Sequence, residues 1–157
     1  MPLQTGDAAP DFTLYDSDTQ PFTLTDALDD GPVALLFFPG AFTSVCTNEL
    51  STVGNDLDSY EGAQVVGIST DSPFALAEFK KAHDLPMRLL SDHDGEVSAA
   101  FGAKYDHDFT PMKLDRIAKR AAFVVDREGR VRYAEVLENA GELPDLDAVQ
   151  STISDLG

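Results

Sequence analysis

One cysteine, Cys46, occurs in the 157 residues of this chain. An intrachain disulfide is therefore excluded, and no second thiol on the same chain can act on an oxidised Cys46. Basic residues are scarce too: Lys and Arg number 11 against 28 Asp and Glu, for a formal charge of −17. Nucleic acid and anionic membrane surfaces are poor partners for such a chain, because like charges repel. The longest apolar run, residues 33–38, is far too short to cross a bilayer. Residues 1–7 show neither a basic leader nor an apolar signal core, so a cytoplasmic location is expected.

What is present fits one soluble domain over residues 1–157, with 43% hydrophobic and 25% charged residues. Asp (20) outnumbers Glu (8) among the acids. An acid-rich surface with little lysine suggests work at high salt, where counterions screen self-repulsion. An acidic protein of an ordinary cytoplasm is the alternative.

The apolar pattern alternates between strand and helix periods. Residues 12–15 and 21–24 flank the turn-forming stretch 16–20, which predicts a short hairpin. Residues 33–38 read as a central strand covered on both faces. Cys46, Leu50, Val53 and Leu57 follow at i, i+4, i+7 and i+11, one face of a helix, and Gly62 ends that region. Residues 65–69 are the next strand. Ser72 and Pro73 open a helix on which Ala75, Phe79 and Ala82 share a face. Residues 88–90 are a short strand and 96–101 a helical turn, whereas 102–118 are polar and unassigned. Residues 121–125 and 131–136 form a hairpin about the turn 126–129. Leu146, Val149, Ile153 and Leu156 make the stripe of a closing helix. This order predicts an α/β protein with a thioredoxin-like fold: a central mixed sheet flanked by helices, with an N-terminal β-hairpin.

Cys46 has the context of a nucleophile. It comes after a buried strand and a proline, on the first turn of a helix, where anions are stabilised and a thiol is biased toward the thiolate. Pro39 has no N–H and fixes the chain entering that turn. Thr43 lies three residues before Cys46, so its hydroxyl can donate to a thiolate or a substrate oxygen. A charge partner must come from elsewhere, and Arg120 is the best candidate. It begins the strand expected to lie beside residues 33–38, and guanidinium is always charged. Seven of the 11 basic residues lie between Lys113 and Arg132. Lys113, Arg116, Lys119, Arg127 and Arg130 are read as solvated.

The spacing of Pro39, Thr43 and Cys46 resembles the active-site motif of the peroxiredoxins, the alkyl hydroperoxide reductase/thiol-specific antioxidant family. Residues 9–14, 37–50, 89–92 and 120–126 resemble further landmarks of that family, in order and at fitting distances. The pattern most resembles the one-cysteine, alkyl hydroperoxide reductase E-like group. The resemblance implies a thiol-dependent peroxidase acting on hydrogen peroxide and organic hydroperoxides. Cys46 would attack the terminal peroxide oxygen and become a sulfenic acid. Thr43 would orient the peroxide, Arg120 would stabilise thiolate and leaving oxygen, and Pro39 would shield the site. The N–H groups of Cys46 and Val45 would help hold the substrate. Glu49 would orient Arg120; a solvent-facing helix residue is the other reading. No cofactor or metal is implied.

Two features depart from the pattern. Without a resolving cysteine, the sulfenic acid must be reduced by an external thiol, whether a redoxin, a low-molecular-weight thiol or both. Residues 104–113 form a longer segment than the family pattern suggests, expected to border the site or a subunit interface. Aromatics in residues 40–45 and 104–113 are candidates for a homodimer or higher homo-oligomer contact.

Other classes remain to be weighed. On the stripe it shares with Leu50 and Val53 alone, Cys46 reads as a core cysteine; the Pro39 and Thr43 spacing and Arg120 reverse that reading. The same thiol would serve a peroxide sensor, and the fold alone a holdase-type binding module. The three histidines His83, His93 and His107 have no metal-ligand spacing, and Asp92 to Gly95 does not complete a calcium loop.

Overall fold

The computed structural model describes residues 3–105, 117–139 and 141–156. The N-terminal hairpin pairs β1 (Thr13–Asp16) with β2 (Pro21–Thr23), antiparallel, with Leu14 opposite Phe22. Asp16 closes it: Oδ1 accepts the N–H groups of Asp18 and Gln20, each at 2.9 Å. The short helix α1 (Leu24–Leu28) follows at once and was not anticipated.

Next in the chain are β3 (Val33–Phe37), α2 (Ser44–Asn55) and β4 (Gln64–Ser69). Then come α3 (Pro73–Ala82), β5 (Arg88–Ser91) and α4 (Glu96–Ala100). The chain closes with β6 (Ala121–Val125), β7 (Val131–Val136) and α5 (Leu146–Leu156). One seven-stranded mixed sheet has the order β2-β1-β5-β4-β3-β6-β7. β3 lies at its centre, parallel to β4 and antiparallel to β6. The expected α/β, thioredoxin-like arrangement is the one observed.

Strand alternation divides the core in two. Val33, Leu35 and Phe37 face a cluster with Phe12, Phe22, Phe101 and Phe123. Ala34, Leu36 and Phe38 face the other, with Leu50, Val53, Leu76, Phe79, Val149 and Ile153 from α2, α3 and α5. Cys46 belongs to this second cluster and is fully buried. Gly67 on β4 permits the packing there: a Cβ would come within 2.8 Å of Leu89 and 3.2 Å of Phe38.

Two details of the helical pattern are corrected. α3 buries Leu76 and Phe79, while Ala75 is half-buried and Ala82 exposed. The larger apolar side chain sets the face, so Leu76 goes inward and the alanines flank it. Leu57 does not extend α2, which ends at Asn55; it lies half-buried in a 3-10 turn, Leu57–Tyr60. The Ser72 cap is present, its Oγ accepting the Ala75 N–H at 3.2 Å.

Candidate active site

Strand direction decides what meets at one end of the sheet. β3 and β4 run parallel, so the chain leaves both at the same end, and antiparallel β6 begins there. Phe37, the last residue of β3, stands opposite Ile68 and Ala121. The loop after β3, the segment after β4 and Arg120 just before β6 therefore converge.

The loop of residues 39–43 leads from β3 into α2. Pro39 is half-buried and Thr43 is exposed. Thr43 is the extended N-cap of α2, with φ −82° and ψ 149°. Its hydroxyl donates to the Gly40 carbonyl at 2.9 Å, closing the loop on itself. The hydroxyl oxygen keeps lone pairs, but its hydrogen is directed at Gly40 rather than at sulfur. Phe42 adopts a left-handed φ of 65°, a strained conformation for a bulky residue. Its ring is held edge-on against Phe79, with centroids 5.2 Å apart.

Cys46 is the third residue of α2. The first-turn N–H groups of Ser44, Val45 and Cys46 have no carbonyl one turn back in the helix, so they form its positive end. Arg120 reaches the sulfur from the other side: Nη2 donates to Cys46 Sγ at 3.1 Å. Its Nη1 donates to Glu49 Oε1 at 2.6 Å. Arg120 is 1% exposed and Glu49 not at all. The solvent-facing alternative for Glu49 is thereby excluded: one helical turn from Cys46, it points inward to the guanidinium.

The charges answer to this burial. Desolvation pushes the Glu49 carboxyl up to about 7, against the opposing pull of Arg120. For Arg120 burial disfavours the cation, but the adjoining Glu49 and Cys46 outweigh it and hold its titration above the ordinary range. Glu49 Oε2 is buried with no hydrogen-bond partner among the described residues.

Asp71, just beyond β4, is the residue that sequence reasoning missed. Its Oδ2 accepts the Ala41 N–H at 2.8 Å and the Ser69 hydroxyl at 2.7 Å. Its own carbonyl accepts the Ser91 hydroxyl at 2.6 Å. The loop before Cys46 is thus tied to the ends of β4 and β5. A short-range signal, the Ser69-x-Asp71 turn, was visible, but its partner 30 residues away was not.

Among the basic residues read as solvated, Lys119 is paired with Glu138 at 2.9 Å and lies over the Tyr105 ring. Arg127 and Arg130 donate to the carbonyls of Asp30 and Gly6. Lys113 and Arg116 lie outside the described residues, as does most of the segment 104–113. Of that segment Lys104 bridges Ala118, and Tyr105 is buried. Among the described residues no three His, Cys, Asp or Glu side chains converge to hold a metal. Asp92 instead accepts the Val97 and Ser98 N–H groups and the Ser98 hydroxyl at the start of α4.

A buried arginine–carboxylate pair behind a thiol at a helix N-terminus, on a thioredoxin-like sheet, defines the class of the protein as a redox thiol protein. The AhpC/TSA family model matches residues 5–134, and the chain belongs to that family. It is 35% identical over 134 residues to Peroxiredoxin Bcp of Escherichia coli (strain K12), covering 84% of this chain and 85% of that protein. It is 34% identical over 145 residues to Thiol peroxidase of Listeria innocua, covering 91% and 83%. The crystal structure of Peroxidoxin BcpB from Mycobacterium tuberculosis superposes with a TM-score of 0.87 at 32% identity, over 99% of each chain.

Proposed function

We propose that the protein is a peroxidase that reduces hydrogen peroxide and organic hydroperoxides at Cys46, at the expense of an external thiol. Membership of a peroxiredoxin family supplies the class of reaction, thiol-dependent peroxide reduction. The observation that carries the assignment to Cys46 is the contact between Arg120 Nη2 and Sγ.

The thiolate attacks the terminal oxygen of the peroxide. The S–O bond forms as the O–O bond breaks, leaving Cys46 as a sulfenic acid. The departing oxygen takes a proton and leaves as water or an alcohol. Charge moves from sulfur to that oxygen, so fixed donors along the path lower the barrier. Arg120 and the first-turn N–H groups of Val45 and Cys46 are those donors; Pro39 and Thr43 border the approach. Glu49 fixes the guanidinium from behind, and Asp71 fixes the loop.

The sole cysteine fits a one-cysteine cycle. One external thiol condenses with the sulfenic acid, releasing water and giving a mixed disulfide. A second thiol then returns Cys46 to its reduced form. Cys46 is out of solvent in this conformation, so the external thiol needs the 39–43 loop or the first turn of α2 to move.

The same proposal takes the protein to be cytoplasmic, adapted to high salt and a homodimer or larger homo-oligomer, with Phe42, 55% exposed beside the site, in the contact. Peroxide consumption with a thiol reductant, in the intact protein and in Cys46→Ser, tests the catalytic assignment. Turnover separates an enzyme from a sensor or a binding module.

A further inference from the structure

Arg120 stands between two groups that can each carry a negative charge. Glu49 Oε1 lies 2.6 Å from Nη1, and Cys46 Sγ lies 3.1 Å from Nη2. None of the three side chains is more than 1% exposed. If carboxylate and thiolate are both ionised, the buried trio carries a net negative charge, and unbalanced charge withdrawn from water is costly. One retained proton makes the trio neutral. The reactive state of Cys46 is the thiolate, which already balances Arg120, so the proton belongs on Glu49. The second oxygen, Oε2, is buried and has no hydrogen-bond partner among the described residues. A bare carboxylate oxygen is poorly solvated there, whereas an O–H costs far less.

We propose that Glu49 and Cys46 share a single proton across Arg120, so that Glu49 takes up the proton that Cys46 releases on forming its thiolate. In this step the S–H bond breaks and an O–H bond forms on Oε2. No electron is gained or lost, and the trio stays neutral. Glu49 acts through Arg120 and is a positioning residue for charge rather than a group that touches peroxide. The carboxyl, raised to about 7 by burial, titrates where such an exchange operates near neutrality.

Among the described residues, the two neighbouring tyrosines stay out of the exchange. Tyr60, on the 3-10 turn, is raised by burial, with Asp56, Asp147 and Glu49 adding to the shift, so it stays neutral. Tyr105 is raised by burial and Glu138, with Arg120 opposing and Cys46 adding, and is neutral as well. Among the described residues, Arg120 is the charge that acts on Glu49.

The inference rests on Cys46 being the peroxide-reactive thiol, and the test separates the two claims. Ultraviolet thiolate absorbance is followed between about pH 4 and pH 9 in the intact protein and in Glu49→Gln, spanning the ordinary carboxylate and thiol ranges. Glutamine keeps an oxygen for Arg120 but removes the competing charge. The thiolate fraction on the acid side of neutrality then rises about severalfold, the sign expected when a like charge is lost. A residue that merely orients Arg120 predicts an unchanged or smaller fraction, and that result overturns the proposal. Should Glu49→Gln fail to fold, Cys46→Ser decides. Without the thiolate the infrared band of one protonated carboxyl near neutrality disappears at a lower pH than in the intact protein. An unmoved band overturns the proposal. Peroxide turnover of the intact protein, measured alongside, tests the peroxidase assignment by itself.

Discussion

Arg120 Nη2 donates to Cys46 Sγ across 3.1 Å, although 74 residues separate the two in the chain. Topology makes the meeting possible: α2 begins where β3 ends, and antiparallel β6 begins at the same edge. The pair brings a cation and a thiol together out of solvent, where electrostatic interactions are less screened than at the surface.

Arg120→Met should lower the rate of peroxide reduction by about a hundredfold or more, the usual scale for losing a donor aimed at developing charge. It also strands Glu49 without its cation. Denaturant unfolding should show a larger loss of stability above neutrality than below it, because the stranded carboxyl is then ionised. Adding Glu49→Gln should recover that stability without restoring turnover. A double variant no more stable than Arg120→Met contradicts the pairing.

Asp71→Ala should reduce kcat/KM for peroxide by about tenfold or more, since small misplacements of reacting groups are expensive. The variant removes the oxygen that holds the Ala41 N–H at 2.8 Å. Thiolate absorbance should stay close to that of the intact protein, because Asp71 contacts the loop and not the sulfur or Arg120. Stopped-flow kinetics together with that absorbance checks both halves. An unaltered rate means that the loop is held by other contacts.

Glu49 should leave a signature in stability against pH. Its carboxyl is raised in the folded protein from the ordinary 4.5 to about 7. Between those values the folded state binds more protons than the unfolded state, so stability falls as pH rises. The contribution is fully present below the unfolded value and lost as pH passes through the folded one. Other carboxylates titrate too, so the quantity to follow is the difference in unfolding free energy between the intact protein and Glu49→Gln. That difference should shift against the intact protein from about pH 5 to pH 8. A constant difference contradicts the raised titration.

Much of the fold was legible because local pattern and tertiary role agreed. The apolar run at residues 33–38 became the central strand, and Cys46, Leu50 and Val53 lie on one buried face of α2. Both hairpins followed from turn residues. Legibility failed where a short element had no room to show a period, as in α1, five residues directly after β2. It failed again on α3, where alanine spacing suggested a face that Leu76 decided instead. At the site, Cys46, Glu49 and Arg120 were all legible as candidates. The direction of the Thr43 hydroxyl and the anchoring of Ala41 by Asp71 were not. The first depends on how the loop folds on itself and the second on how it lies against the end of β4, and no spacing along the chain records either.

The charge of −17 predicts a salt response. Self-repulsion is screened as ionic strength rises. The melting temperature should therefore climb with KCl concentration. A flat or falling curve contradicts adaptation to high salt and leaves the site chemistry untouched.

The most direct test of the account is a single turnover with limiting peroxide, followed by mass spectrometry and then by addition of a thiol. The intact protein should gain one oxygen atom at Cys46, lose it as water when the thiol is added and then consume further peroxide, while Cys46→Ser should do none of these. Peroxide consumption by Cys46→Ser at the rate of the intact protein would contradict the central claim.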